Sequence, residues 1–369
     1  MTQAIHPIRV VVCGTTFGQT YLSGIATLPD KFRLAGILAR GSTFTQQCAQ
    51  RCRVPLYTSV DELPDDIQAA CVVVRSSILG GAGTKLAKAL LERGIHVLQE
   101  QPVHHEDLSQ LLLAARKNQC QYQLNGFYPD IPSVARFIKA ARSLLAQRKP
   151  LFVDAACSVH VLYPLIDILG KALGRLRPWS FTLHPAAAVD PGPLTCLIGR
   201  IAGLPLTLRI QNQFDPADPD NHLHLFHQIS LGTQGGTLTL LDSHGQIMWQ
   251  PRMFMQRRDD GVLDLSVKQA SLALPASAVV GAVDAPTYNE ILTRTWPQAA
   301  ARALLRFHQT ILENRQNPAM NQYLLSAAKA WIDLGTELGT PQEIAAHDTQ
   351  PLALENIAPL VPHRENIPS

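Results

Sequence analysis

Residues 8–22 read IRVVVCGTTFGQTYL, and this stretch decides the fold. Val10, Val11, Val12 and Cys13 form a short apolar run, rich in β-branched residues and closed by a glycine. That predicts a strand buried on both faces, as in a parallel sheet. Gly14-Thr15-Thr16-Phe17-Gly18 follows, then Tyr21, Leu22 and Ile25 at helical spacing. Strand, glycine turn and helix in that order set a helix N-terminus at the end of a strand. Free N–H groups and the helix dipole there favour a pyrophosphate, and Gly14 and Gly18 let the backbone turn and approach it. Thr16 stands where the usual G-x-G-x-x-G pattern has its second glycine, and an ordinary tight βα turn has the same composition. The motif therefore takes its meaning from the residues that follow.

Residues 32–39 predict a second strand, after which an Asp or Glu would bond the ribose 2′-hydroxyl of NAD. The chain instead reads Ala39-Arg40-Gly41-Ser42-Thr43. An arginine beside hydroxyls suits a 2′-phosphate, which favours NADP(H), although Arg40 outside a nucleotide fold would be a solvated loop charge. Ser59-Val60-Asp61-Glu62 has the spacing of a capping box. Residues 70–74 predict a third buried strand ending in the polar rim Arg75-Ser76-Ser77, and ligands of open α/β sheets lie at such rims. A helix with Leu86, Ala89 and Leu90 on one face closes at Gly94. A fourth strand, 96–98, leads into Gln99-Glu100-Gln101-Pro102-Val103. After a helix marked by Leu108, Leu111, Leu112 and Ala115, a fifth strand, 121–124, leads into Asn125-Gly126-Phe127-Tyr128-Pro129. Residues 1–125 thus alternate strand and helix with short connections, the pattern of a Rossmann-type, doubly wound parallel sheet.

After residue 150 the pattern changes. Residues 151–157, 179–184, 195–198, 204–214, 222–231, 236–241 and 246–250 read as strands, interrupted by a helix over 163–173. This predicts a mostly antiparallel α+β domain over 126–345. Leu304, Leu305, His308, Ile311 and Leu312 mark one later helix. Another starts at Asn317-Pro318, carries Leu324, Ala327, Trp331, Leu334 and Leu338 on one face, and stops at Gly339 and Pro341. These helices are expected to pack back on the first domain, and 346–369 reads as a Pro-rich tail.

Composition narrows the classes. The chain has 369 residues, 46% hydrophobic and 17% charged, with a net charge of +3. That suits a globular protein of about two domains and argues against a nucleic-acid partner. No run is apolar and long enough to span a bilayer, and no secretory leader is expected before Ile8. The seven cysteines are scattered, Cys48 and Cys52 being the only close pair, so neither a zinc site nor another metal site is expected. A reduced, cytoplasmic protein is the simplest expectation.

The glycine turn near residue 14, the polar cluster after the third strand and Glu100-Gln101-Pro102 after the fourth resemble the glucose-fructose oxidoreductase/inositol dehydrogenase superfamily, which carries the triplet E-K-P. Within it, the segments GTTFGQTYL, HVLQEQPVH, NGFYPDIPSVARF and SVHVLYPLIDILG are similar to the thiazolinyl imine reductases of siderophore assembly, of the yersiniabactin and pyochelin type. The resemblance implies NADPH-dependent reduction of a thiazoline C=N bond to a thiazolidine, on a substrate held by a carrier domain of a nonribosomal peptide synthetase. Sugar dehydrogenases of the superfamily carry a catalytic histidine in an H-x-x-D motif. The matching run here is Pro164-Leu165-Ile166-Asp167, which argues against alcohol oxidation. A superfamily oxidoreductase acting on a free sugar or polyol, and a non-catalytic NADP(H)-sensing regulator, are the competing readings.

Imine reduction takes a hydride to carbon and a proton to nitrogen. The resemblance puts Gly14, Thr15, Thr16, Phe17, Gly18, Arg40, Ser42, Ser76, Ser77, Glu100 and Pro102 around the cofactor. It also implies lysine, or in this branch histidine, where Gln101 stands, and a glutamine cannot supply a proton. Tyr128 is the other candidate acid, since a phenol with a reference pKa of about 10 stays protonated at neutral pH. Pro129 is expected to hold it extended. A loop tyrosine at a domain junction also serves packing alone. His160, Tyr163 and Asp167 are candidates on the substrate side, and His104 and His105 suit a helix N-terminus. The basic run Arg136, Lys139, Arg142, Arg148 and Lys149 suits an acidic carrier domain, and equally a solvated helix face. An open apolar face of the second sheet is expected to join two copies in a homodimer.

Overall fold

Apolar strands joined by short helical crossovers have to stack in parallel, and they do. In the computed structural model, which describes residues 6–74, 81–184, 192–218, 220–264, 270–283, 285–345 and 350–357, the chain begins with β1 (Ile8–Cys13), α1 (Gly18–Ala26), β2 (Phe32–Leu38), α2 (Thr43–Cys52) and β3 (Leu56–Tyr57). It continues with β4 (Ala69–Val72), α3 (Ala82–Glu92), β5 (His96–Glu100), α4 (His105–Lys117) and β6 (Tyr122–Asn125). The order β3-β2-β1-β4-β5-β6 is parallel throughout and doubly wound, with its reversal between β1 and β4. Val10, Val11, Val12 and Cys13 are wholly buried, as are Ala69, Ala70, Cys71 and Val72 beside them.

A helix not assigned from the sequence, α5 (Pro132–Leu145), leads into the second sheet. Its elements are β7 (Pro150–Ser158), α6 (Leu162–Leu173), β8 (Ser180–Leu183), β9 (Thr195–Ile201), β10 (Leu204–Gln211), β11 (Gln213–Phe214), β12 (His227–Thr233), β13 (Gly236–Leu240), β14 (Ile247–Pro251) and β15 (Ala278–Val279). The eight-stranded order is β15-β14-β13-β12-β7-β10-β9-β8, antiparallel except where β7 meets β10. One face is apolar: Val153, Ala155, Leu206, Leu208, Ile229, Leu231 and Leu238 point into the core that α5 and α6 also fill.

The other face departs from the apolar surface expected. It carries Asp154 paired with Arg209 at 3.5 Å, Ser230 bonded to Thr239, and Gln228, with Phe152 (42% exposed) and Ile198 (47%) as apolar points. Phe152 lies over Gly232 on the neighbouring strand, where an added Cβ would fall 2.1 Å from its ring.

A short α7 (Tyr288–Glu290) and a π turn (Ile291–Thr295) open into α8 (Trp296–Glu313), which is followed by α9 (Pro318–Leu338) and β16 (Gln342–Glu343). Asn317 caps α9 by accepting the Met320 N–H, and Pro318 takes the first helical position. Helix α8 lies across α1 so closely that a Cβ on Gly24 would stand 3.1 Å from the Ala300 methyl.

Four sequence expectations are corrected. The third strand ends at Val72, not Val74. Residues 204–214 break at Asn212, whose amide turns to the Leu338 and Thr340 carbonyls, so β11 leaves to pair with β16. The strand expected from 222 begins at His227, because His222 bonds the Gln213 and Asp218 carbonyls and ties down a loop. Ser59 caps nothing with its side chain; the Glu62 carboxylate instead receives the Thr58 N–H and hydroxyl.

Candidate active site

The carboxyl edge of the parallel sheet gathers the turns after β1, β2, β5 and β6. Gly14 sits at φ +90°, with Val73 O only 2.6 Å from where a Cβ would be, so a side chain is excluded there. The N-terminus of α1 has no side-chain cap and no acidic residue in its first turn, which leaves its N–H groups to a ligand. Thr16 is exposed and Gly18 is buried. The Thr15 hydroxyl is shared with Thr45 of α2 at 2.9 Å. Ser42 caps α2 through the Thr45 N–H, and Arg40 is exposed beside it. Ser76 and Ser77 lie outside the described residues. The uncapped helix and the side-chain-free turn fit the pyrophosphate of a dinucleotide.

Glu100 ends β5 with its carboxyl turned inward. Tyr21 of α1 donates a hydrogen bond to Oε2, and Asn125 Nδ2 stands 2.6 Å from the Tyr21 oxygen and 3.4 Å from Oε2. Burial pushes the Glu100 carboxyl up to about 8, against the hydrogen bonds from Tyr21, Asn125 and the Gln101 N–H. Burial, with the Glu100 charge added, raises the Tyr21 phenol. Tyr21 and Asn125 are site residues that the sequence reading missed. A buried helix tyrosine reads as core, and nothing local ties it to a glutamate 79 positions on.

Gln101 follows, its bond to Pro102 cis. Its Oε1 is buried and receives no hydrogen bond among the described residues, so the side chain offers an acceptor.

Tyr128 is buried and, contrary to expectation, not extended. It opens a one-turn 3-10 helix, Tyr128–Asp130, because Phe127 adopts φ +55°, ψ −62° and the Tyr128 N–H closes a γ-turn on Gly126 O at 2.7 Å. Such a positive-φ turn is strained for a bulky residue, by about 1–3 kcal/mol. Its surroundings hold it in place. Asn125 Oδ1 accepts the Phe127 N–H at 3.2 Å, Arg306 grips Asp130 through both carboxylate oxygens at 2.5 Å, and Arg302 bonds Asp130 O. The rings close a circuit of aromatic contacts from Phe17 through Phe127, Tyr128, Phe226, His244 and Trp296 back to Phe17, with centroids 5.0–6.2 Å apart. Burial, with Glu100 and Asp242 nearby, pushes the Tyr128 phenol up, so it keeps its proton at neutral pH.

His227 meets the Tyr128 ring edge-on at 4.8 Å. Its Nε2 donates to Val161 O and its Nδ1 accepts from Ser243. Burial lowers it to about 4, so it is neutral and engaged at both nitrogens. Trp296 donates to His244 Nε2 at 3.0 Å.

The remaining candidates separate. Tyr163 is buried against Trp331. Asp167 is ion-paired with Lys171 in its own helix at 2.6 Å and accepts the Tyr323 hydroxyl, close under Gly126. His160 stacks on Phe214 near His222. His104 caps α4, which His105 begins. No cluster of metal-ligating side chains occurs among the described residues.

Comparison with known proteins agrees with this architecture. Residues 8–126 match the family described as oxidoreductase family, NAD-binding Rossmann fold, so the protein is an oxidoreductase of the NAD(P)-binding Rossmann class. Residues 148–250 match the domain described as thiazolinyl imine reductase Irp3-like, C-terminal. The chain belongs to the glucose-fructose oxidoreductase/inositol dehydrogenase superfamily, in the branch that carries this Irp3-like domain. No curated protein matches it. Solved structures share its fold. GenD2 from gentamicin A biosynthesis, in complex with NAD, is 13% identical over 91% of this chain and 95% of its own, with a TM-score of 0.62. A levoglucosan dehydrogenase with NADH and levoglucosan is 14% identical over 90% and 98%, at 0.61. The 3-ketoreductase KijD10 of Actinomadura kijaniata, with TDP-benzene and NADP, is 16% identical over 92% and 99%, at 0.62.

Proposed function

We propose that the protein uses NADPH to reduce a thiazoline C=N bond to a thiazolidine, on a siderophore intermediate carried by a nonribosomal peptide synthetase. The observation that carries this reading is the Irp3-like match of residues 148–250, behind a Rossmann site that has a buried phenol but proline at position 164. NADPH supplies the hydride. Tyr128 gives the imine nitrogen its proton, and Gln101 orients the ring through its amide. Arg40 and Ser42 meet the 2′-phosphate. Lys139, Arg142, Arg148 and Lys149 are exposed beside the half-buried Arg136 and offer the acidic carrier a basic surface. Two copies join through the open face of the eight-stranded sheet. Gln101, which is no acid, favours one other reading, an NADP(H) sensor.

Single-turnover NADPH oxidation with a small thiazoline mimic tests the assignment. The protein is expected to turn over, Tyr128→Phe to slow it by 10²–10⁴-fold, and Gln101→His to quicken it. NADPH binding with no oxidation by the protein or by Gln101→His would leave the sensor.

A further inference from the structure

Glu100 is a half-buried carboxylate with no counter-charge paired to it among the described residues. Facing it are Tyr21 from α1, Asn125 from β6, and the more distant phenols of Tyr128 and Tyr163. Asp130, in the turn after β6, adds a second negative charge, and Arg306 of α8 is engaged with Asp130. Cys71 of β4 lies behind Tyr21 and is itself held protonated by burial. The next residue, where the superfamily triplet has lysine, is the neutral Gln101. None of the ion pairs among the described residues involves Glu100.

Topology says which half of a dinucleotide reaches it. A pyrophosphate on the α1 N-terminus would have its adenosine half over the end of β2, near Arg40 and Ser42, and the nicotinamide half would run the other way, over the ends of β4 and β5, toward Glu100. The reduced nicotinamide ring is uncharged and the oxidised ring carries one positive charge.

We propose that Glu100 is a redox-linked proton site, which holds its proton opposite the reduced ring and releases it opposite the oxidised one. The charges balance. When a hydride leaves the ring for the imine carbon, the ring becomes a cation. Glu100 would lose its O–H proton and become the anion that faces it, and that proton would make good the one that Tyr128 gives to the imine nitrogen. An opposite charge at about 4–6 Å lowers a carboxyl by roughly 1–3 units, enough to move this one from protonated to ionised at neutral pH. The inference rests on the cofactor half of the proposed function and not on the imine half.

The test needs no substrate. Calorimetry of NADP⁺ and of NADPH binding at pH 7, in two buffers of different ionisation enthalpy, counts the protons exchanged. The 2′-phosphate is common to both cofactors and cancels in the comparison. NADP⁺ is expected to release close to one proton more than NADPH, and its Kd to tighten about tenfold between pH 6.5 and 7.5 relative to that of NADPH. Glu100→Gln should abolish the difference. If that variant fails to fold, the infrared difference spectrum of the unaltered protein serves: the protonated-carboxyl C=O stretch should be present with NADPH and lost with NADP⁺. Equal proton exchange for the two cofactors, or a difference that survives in Glu100→Gln, overturns the proposal. Failure to bind either cofactor removes the cofactor reading itself, whereas binding without the proton difference removes only the role of Glu100.

Discussion

His227 shows what a single buried side chain does to the pH response. Folded, it stays neutral down to about 4. In the unfolded chain it takes up a proton near its ordinary value of about 6.5. The unfolded state therefore binds more protons between these values, and stability that is complete above pH 6.5 is lost as pH falls toward 4, by up to about 3 kcal/mol. Denaturant unfolding at pH 7 and 4.5 should show this loss, and His227→Gln should flatten it, starting from a lower stability at pH 7. At this scale the sequence was only partly legible. Gly14 and the glutamine at position 101 stand out from their neighbours in the chain. The Tyr21–Glu100–Asn125 cluster and the aromatic circuit through Phe226, His244 and Trp296 join residues from distant segments, and only the packing reveals them.

Periodicity and end signals located most elements. The apolar runs of the parallel sheet, Gly94 at the close of α3 and the Asn317-Pro318 start of α9 all have local causes. Elements whose cause lies elsewhere were not legible: the break at Asn212 depends on the carbonyls of residues 338 and 340, and the positive φ of Phe127 is held by rings from two distant parts of the chain, Phe17 and Trp296. The crossing of α1 and α8 is of the same kind. Gly24 looks like a weak point in a helix, yet a Cβ there would stand only 3.1–3.2 Å from the Ala300 methyl, the Ala301 amide and Pro297 O. Gly24→Val is expected to force these helices apart and destabilise the protein by about 1–3 kcal/mol, despite valine's better helix propensity. Thermal unfolding would check this, with an exposed-position control such as Gln19→Val changing little.

For the whole molecule, the succession of βα units and then strands predicted two kinds of sheet, and both are present. The character of the second sheet's outer face was misjudged, because alternation says which residues face outward and not how polar a strand's neighbours make that surface. Two copies meeting there would pair a face that is largely polar, with Phe152 and Ile198 as its apolar contacts. Sedimentation velocity should find a dimer, and Ile198→Glu should shift it to monomer without changing the circular dichroism. A monomer at micromolar concentration in the unaltered protein would remove this arrangement.

The seat of α8 on α1 also bears on how the molecule is made. A chain emerging from its N-terminus completes the strands of its first sheet early, but the groove at Gly24 has no cover until residues 297–301 have been synthesised. Nascent domains tend to fold as they emerge, and contacts between distant segments form slowly. Here the first domain waits on nearly the last helix. In that interval the groove of one chain would be open to the α8 of another that has finished first, so the misassembly this crossing predicts is an exchange of α8 between copies.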